Sequence, residues 1–156
     1  MIELNKKTQQ DFLNREWVQR LLDAGVDMSD AKYTINYDNK GHAFIDYIDK
    51  HYGYNSYPTY TVSELLYKLH EYIYPEIDGE KYSGGLKFTK DAPFYIWYYA
   101  LKTKDYDPLL QQGKYNEDYI YAEAEYPIES LAMLLIQCHK KDVGIERKDT
   151  GDISGK

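Results

Sequence analysis

Cysteine is nearly absent: Cys138 stands alone in 156 residues. No disulfide can form within the chain, and a lone thiol fits a reducing compartment better than a secreted scaffold. Long apolar runs are missing too. The longest, residues 128–138, is broken by Glu129, Ser130 and Gln137, well short of the roughly 18 to 20 residues that span a bilayer. Residues 1–10 are polar and hold no apolar stretch of the kind that drives secretion. These absences together predict a cytoplasmic protein with no membrane contact.

Basic charge is also scarce. Nineteen Lys and Arg face 26 Asp and Glu, a formal charge of −7. A binder of phosphate backbones needs the opposite balance, so direct nucleic-acid binding is not expected. The imbalance is local: residues 105–129 hold seven acids (Asp105, Asp107, Glu117, Asp118, Glu123, Glu125, Glu129) and one base, Lys114. Such a run reads first as a solvated surface. Its functional reading is an acidic face that imitates nucleic-acid charge and occupies a nucleic-acid-binding protein.

Motifs of catalysis and metal binding are missing as well. His42, His51, His70 and His139 form no H-x-H, H-x3-H or H-E-x-x-H spacing, and no cysteine pair completes a zinc set. The pairs Asp23/Asp27 and Asp46/Asp49 lack the alternating ligands of a calcium loop. Ser83-Gly84-Gly85 reads as a turn or bulge and not as a phosphate loop. Cys138 lies on an apolar stripe and reads as core. No cofactor, no metal and no catalytic residue is expected, although an enzyme with scattered catalytic groups is compatible with this silence.

What the chain has in abundance is tyrosine, 19 residues against four Phe and two Trp. A tyrosine joins a large apolar ring to a polar tip, which suits half-buried sheet faces and contact surfaces.

Local signals predict an α+β domain over 1–141, with elements in the order α-β-β-α-β-β-β-α, and a mobile tail over 142–156. A first helix is expected over 9–24, capped by Thr8, ended by Gly25, and buried through Leu13, Trp17 and Leu21 with Val18 and Leu22 beside them. A hairpin follows, with strands over 32–37 and 42–47 and turn formers at 38–41. Residues 49–58 read as a loop. Thr61-Val62-Ser63-Glu64 has the capping-box form, and apolar spacing carries that helix over 62–73, with Pro75 as its stop. A three-stranded meander is expected over 85–90, 94–102 and 118–125. Within the 104–116 connection, Leu109 and Leu110 are expected to tuck into the core. Pro127 opens a last helix whose Leu131, Leu134, Leu135 and Cys138 share one face. This order lacks βαβ alternation, so the expected solution is a mainly antiparallel sheet, hairpin plus meander, with about three helices on one face.

Alternation within the last strand puts Ile120, Ala122 and Ala124 under the helices, and Tyr119, Tyr121, Glu123 and Glu125 outside. Leu86 and Phe88 are expected to face the helices. Both faces of the middle strand are apolar. Placing Tyr95, Trp97 and Tyr99 outside makes a candidate binding face of Tyr95, Trp97, Tyr99, Tyr119, Tyr121, Glu123 and Glu125, if no hairpin or loop covers it. Its partner would be a protein, as yet unidentified.

The segments RLLDAGVDMSDAKY (20–33), YTVSELLYKL (60–69) and YPIESLAMLL (126–135) resemble a group of small uncharacterised proteins from phage and mobile-element DNA of Bacteroides-like gut bacteria. The resemblance implies a bacterial or phage origin and a cytoplasmic setting. It implies no activity and no site residue.

Overall fold

The computed structural model of the chain describes residues 2–3, 11–48 and 55–143. Within them the α+β class and the order of the main elements are as expected, but the strands divide between two antiparallel sheets. The start of the expected first helix, residues 49–54 of the expected loop and residues 144–156 of the expected tail lie outside the described residues.

β1 (Ile2–Glu3) precedes the first helix, α1 (Arg15–Asp23). Asn14, not Thr8, caps this helix, accepting from the Trp17 backbone N–H at 3.1 Å. Two residues just before it are recruited by distant chain. Phe12 bridges Thr61, the Leu13 N–H donates to the Tyr60 carbonyl, and the Thr59 hydroxyl donates to the Leu13 carbonyl at 2.6 Å. Backbone groups that a longer helix would have used are satisfied there instead. Trp17, Val18 and Leu21 are buried as the stripe requires, while Leu22 is exposed. Gly25 takes the expected left-handed conformation after the helix.

β2 (Tyr33–Tyr37) and β3 (Ala43–Tyr47) form the predicted hairpin. The expected loop ends in a strand, β4 (Ser56–Thr59), which pairs with the free side of β2. Pro58 is tolerated because β4 is an edge strand of the order β1-β3-β2-β4. α2 (Val62–Tyr67) opens on the capping box read in the sequence, with both reciprocal bonds made. It stops far ahead of Pro75. The chain then forms β5 (Tyr72–Ile73), β6 (Glu76–Ile77) and β7 (Glu80–Asp91). Leu69 and Ile73 are buried either way, so apolar spacing alone could not locate the helix end.

β7 carries the Ser83-Gly84-Gly85 segment, which is therefore strand rather than turn. At Gly84 a Cβ would stand 2.0 Å from the Ala100 carbonyl oxygen. Only the bare backbone of glycine fits that approach. β8 (Phe94–Thr103), β9 (Tyr115–Asn116) and β10 (Tyr121–Ala124) complete the second sheet, ordered β10-β8-β7-β5 with β6 on β7 and β9 on β8. Leu109 and Leu110 do not tuck in; they are 91% and 65% exposed. The Asp107 carboxylate accepts from both of their N–H groups, and Asp107 and Gln112 exchange backbone bonds. These bonds close the loop on itself and hold its tip outward.

α3 (Pro127–Lys141) lies across β8 and β10, and α1 and α2 pack against α3. Leu131, Leu134, Leu135 and Cys138 are fully buried on it. Each such leucine contributes about 1.5–3 kcal/mol by leaving water. They meet Tyr82, Tyr99, Leu101, Ile120 and Ala122 from the sheet in one core.

Candidate functional site on the uncovered sheet face

Residues directly opposite each other in an antiparallel pair share a face. Ala122 lies opposite Trp97, and Ala124 opposite Tyr95. Trp97 in turn lies opposite Phe88, and Tyr99 opposite Leu86. Tyr95, Trp97 and Tyr99 therefore share the face of Ala122, the helix side. The small alanines of β10 leave room for the large rings of β8, a volume match that alternation in one strand does not reveal. Leu86 and Phe88 lie on that side as read in the sequence.

The other face carries Tyr98 opposite both Tyr121 and Lys87, and Ile96 opposite both Glu123 and Thr89. Tyr115 lies opposite Lys102, and Tyr72 opposite Gly85. Among the described residues, no helix packs here. Lys87, Thr89, Lys102 and Glu123 are exposed, Tyr98 and Tyr121 half-buried, Tyr72 and Tyr115 exposed, and Ile96 buried between its neighbours.

The seven residues singled out in the sequence thus do not form one surface. Tyr99 is enclosed at 0% exposure, with its hydroxyl donating to the His70 carbonyl at 2.6 Å. Tyr95 and Trp97 join Phe88 in a separate aromatic patch on the helix side, with ring centroids 6.1 and 4.7 Å from Phe88. The Trp97 indole N–H is enclosed there and has no hydrogen-bond partner among the described residues. Tyr119 lies in the irregular 117–120 stretch, packed against the core beneath Lys141, whose Nζ is 4.2 Å from its ring. Glu125 is exposed just past β10. Only Tyr121 and Glu123 stay together on the uncovered face. The structure adds Tyr98, Tyr115, Tyr72 and Lys102, which alternation within β8 alone could not assign to it.

Several bonds hold this face. Gln137 of α3 donates from Nε2 to the Tyr121 carbonyl at 2.5 Å and accepts from the Tyr121 N–H at 3.2 Å. Both main-chain groups of Tyr121 thus turn away from β8. Tyr121 and Tyr98 are then a non-hydrogen-bonded pair, the closer kind, with side chains side by side. Asn116 accepts from the N–H groups of Asp118 and Tyr119, fixing the bend between β9 and β10. Tyr115 donates to Glu117 at 3.0 Å. Burial, that bond and the Glu117 charge push its phenol up to about 12. Partial burial raises the Tyr121 phenol as well, with Glu123, Asp118, Asp91 and Glu117 adding to it. Lys102 places its ammonium 5.3 Å from the Tyr106 ring and 6.0 Å from the Tyr115 ring.

Burial pushes the Cys138 thiol up to about 12, so it is no thiolate nucleophile at neutral pH. Asp30, Tyr60 and Lys68 line a groove of about 480 Å³. Burial pushes the Asp30 carboxyl up, but hydrogen bonds from Lys68 and Tyr60 outweigh it and hold the group below its ordinary range. The trio ties the loop before β2 to α2. A second open groove of about 580 Å³ runs between Phe12, Arg15, Ile35, Tyr37 and Asp38. Its Asp38 is held ionised first by the His42 N–H and then by that of Lys40. Among the described residues no three His, Cys, Asp or Glu are grouped to hold a metal ion, and no helix is long and apolar enough to cross a membrane.

His139, at the end of α3, has its pKa lowered from 6.5 by burial and then by the Lys68 charge. The unfolded chain therefore binds a proton more readily than the fold does. This contribution to stability is complete above the ordinary value and is lost as pH falls through the lowered one. Thermal midpoints followed from about pH 7.5 to about pH 5 should fall in the parent and fall less in His139→Gln. Equal slopes would show that the imidazole titrates alike in both states.

No family model, curated protein or solved structure matches the chain.

Proposed function

We propose that this chain is a non-enzymatic binding protein that docks a protein partner on the uncovered face of the second sheet, with Tyr98, Tyr115, Tyr121 and Glu123 at its centre. One observation carries the reading. Tyr98 and Tyr121 stand side by side on a face that no helix among the described residues covers, with Tyr72 and Tyr115 exposed on the same face. Tyrosine gives large contact area with few rotatable bonds and a polar tip, which suits recognition more than core filling. The intracellular phage or mobile-element setting implied by the resemblance belongs to this reading. A second reading uses the same face as a nucleic-acid mimic that inhibits a nucleic-acid enzyme, and the exposed Asp118, Glu123 and Glu125 favour it.

The test is affinity capture from a bacterial lysate with the parent and a Tyr98→Ala/Tyr121→Ala variant, each checked by its unfolding curve. The variant should keep its fold and retain partner about tenfold less well. Undiminished capture by the folded variant overturns the reading. Should the variant unfold, Tyr121→Lys takes its place, since its side chain reaches into water.

A further inference from the structure

The uncovered face is electrically lopsided. Its lysines are Lys87 on β7, opposite Tyr98, and Lys102 on β8, whereas Glu123 stands on β10, with Glu117 and Asp118 in the bend beside it. Among the described residues, no Lys, Arg or His comes within ion-pair distance of Asp118 or Glu123. Beside the tyrosine pair, Asp118 and Glu123 thus have no basic partner among the described residues. On the same face the chain shows how such rings are used. Lys102 lies over Tyr106 and Tyr115, whose rings are tilted to each other with centroids 5.6 Å apart.

Resting on the reading above, we infer that the occupant of the Tyr98–Tyr121 site is a basic, arginine-bearing segment of a partner protein. A guanidinium is flat, so it can lie on a phenol ring while its edge donates two parallel hydrogen bonds to one carboxylate. Glu123 lies two residues along β10 from Tyr121, on the same face. That is about 7 Å of strand, within the reach of an arginine seated on the rings. Lysine offers a point charge and fits this pairing less well. An acidic or nucleic-acid occupant would meet Glu117, Asp118 and Glu123 head-on.

The probes are three synthetic peptides of equal length, with glycine alternating with arginine, lysine or glutamine. Each is titrated into the full chain while tyrosine ring signals are followed by NMR, assigned through single Tyr→Phe variants. The arginine peptide should shift the Tyr98 and Tyr121 rings and leave Tyr99 unmoved. It should bind about tenfold more tightly than the lysine peptide. Glu117→Gln/Glu123→Gln, a change of exposed groups with little risk to the fold, should weaken it by about as much. Equal binding of arginine and lysine, or shifts scattered over the acidic surface without these two rings, would overturn the inference. A glutamine peptide that moves the same rings unaided would overturn the basic partner but leave the docking face standing. If no peptide moves them, the inference falls, and the capture experiment judges the face by itself.

Discussion

Tyr99→Ala should cost about 3–5 kcal/mol of unfolding free energy, the range of large buried aromatics, whereas Tyr99→Phe should cost about 1 kcal/mol. The ring is fully enclosed between Leu86, the α3 face and the neighbouring core. Its removal opens a cavity in the middle of the sheet. The phenylalanine variant keeps the ring and loses only the hydroxyl that donates to the His70 carbonyl at 2.6 Å. Urea unfolding of both variants measures the difference. A loss below about 1 kcal/mol for alanine would mean the ring does not fill the core, and the assignment of faces in β8 would have to be reversed.

Gly84→Ala should cost about 3 kcal/mol, the upper part of the range for overpacking. The added methyl meets the backbone of β8: the Ala100 oxygen at 2.0 Å, its carbonyl carbon at 2.6 Å and the Leu101 Cα at 2.9 Å. Backbone in the middle of a sheet cannot step aside without breaking ladder bonds between β7 and β8. Gly85→Ala is the control. There the nearest atoms belong to the Tyr72 ring at 3.3 Å, a side chain on an edge strand that can swing outward. Its cost should stay below about 1 kcal/mol. Equal losses at the two positions would show that β7 yields to the methyl as easily as a side chain does.

How much of this was readable beforehand depended on range. The Thr61–Glu64 box, the Pro127 start of α3 and the 33–47 hairpin are decided by residues a few positions apart, and they appear in the sequence as they do in the fold. The 11–14 segment is decided by chain nearly fifty residues away, at Thr59 to Thr61. So local chemistry points to a cap at Thr8, whereas the cap used is Asn14. Ile73 is apolar and buried whether it ends a helix or starts a strand. Leu109 and Leu110 carry an apolar signal, but Asp107 overrides it with hydrogen bonds that hold the loop tip outward. The candidate face failed in a more instructive way. Ile120 and Ala122 were correctly assigned to the helix side, yet β8 is aromatic on both sides. Only its pairing with β10 shows that Trp97 belongs with Ala122 and Tyr98 with Tyr121. A face made of three strands cannot be read from the strands one at a time.

The Gln137 amide has a consequence for the protein at high concentration. An outermost strand with an idle donor and acceptor is a seed on which copies of a protein can stack without limit. At Tyr121 both positions are already taken by a side chain of the same molecule. Strand addition on that flank therefore loses its anchor at Tyr121.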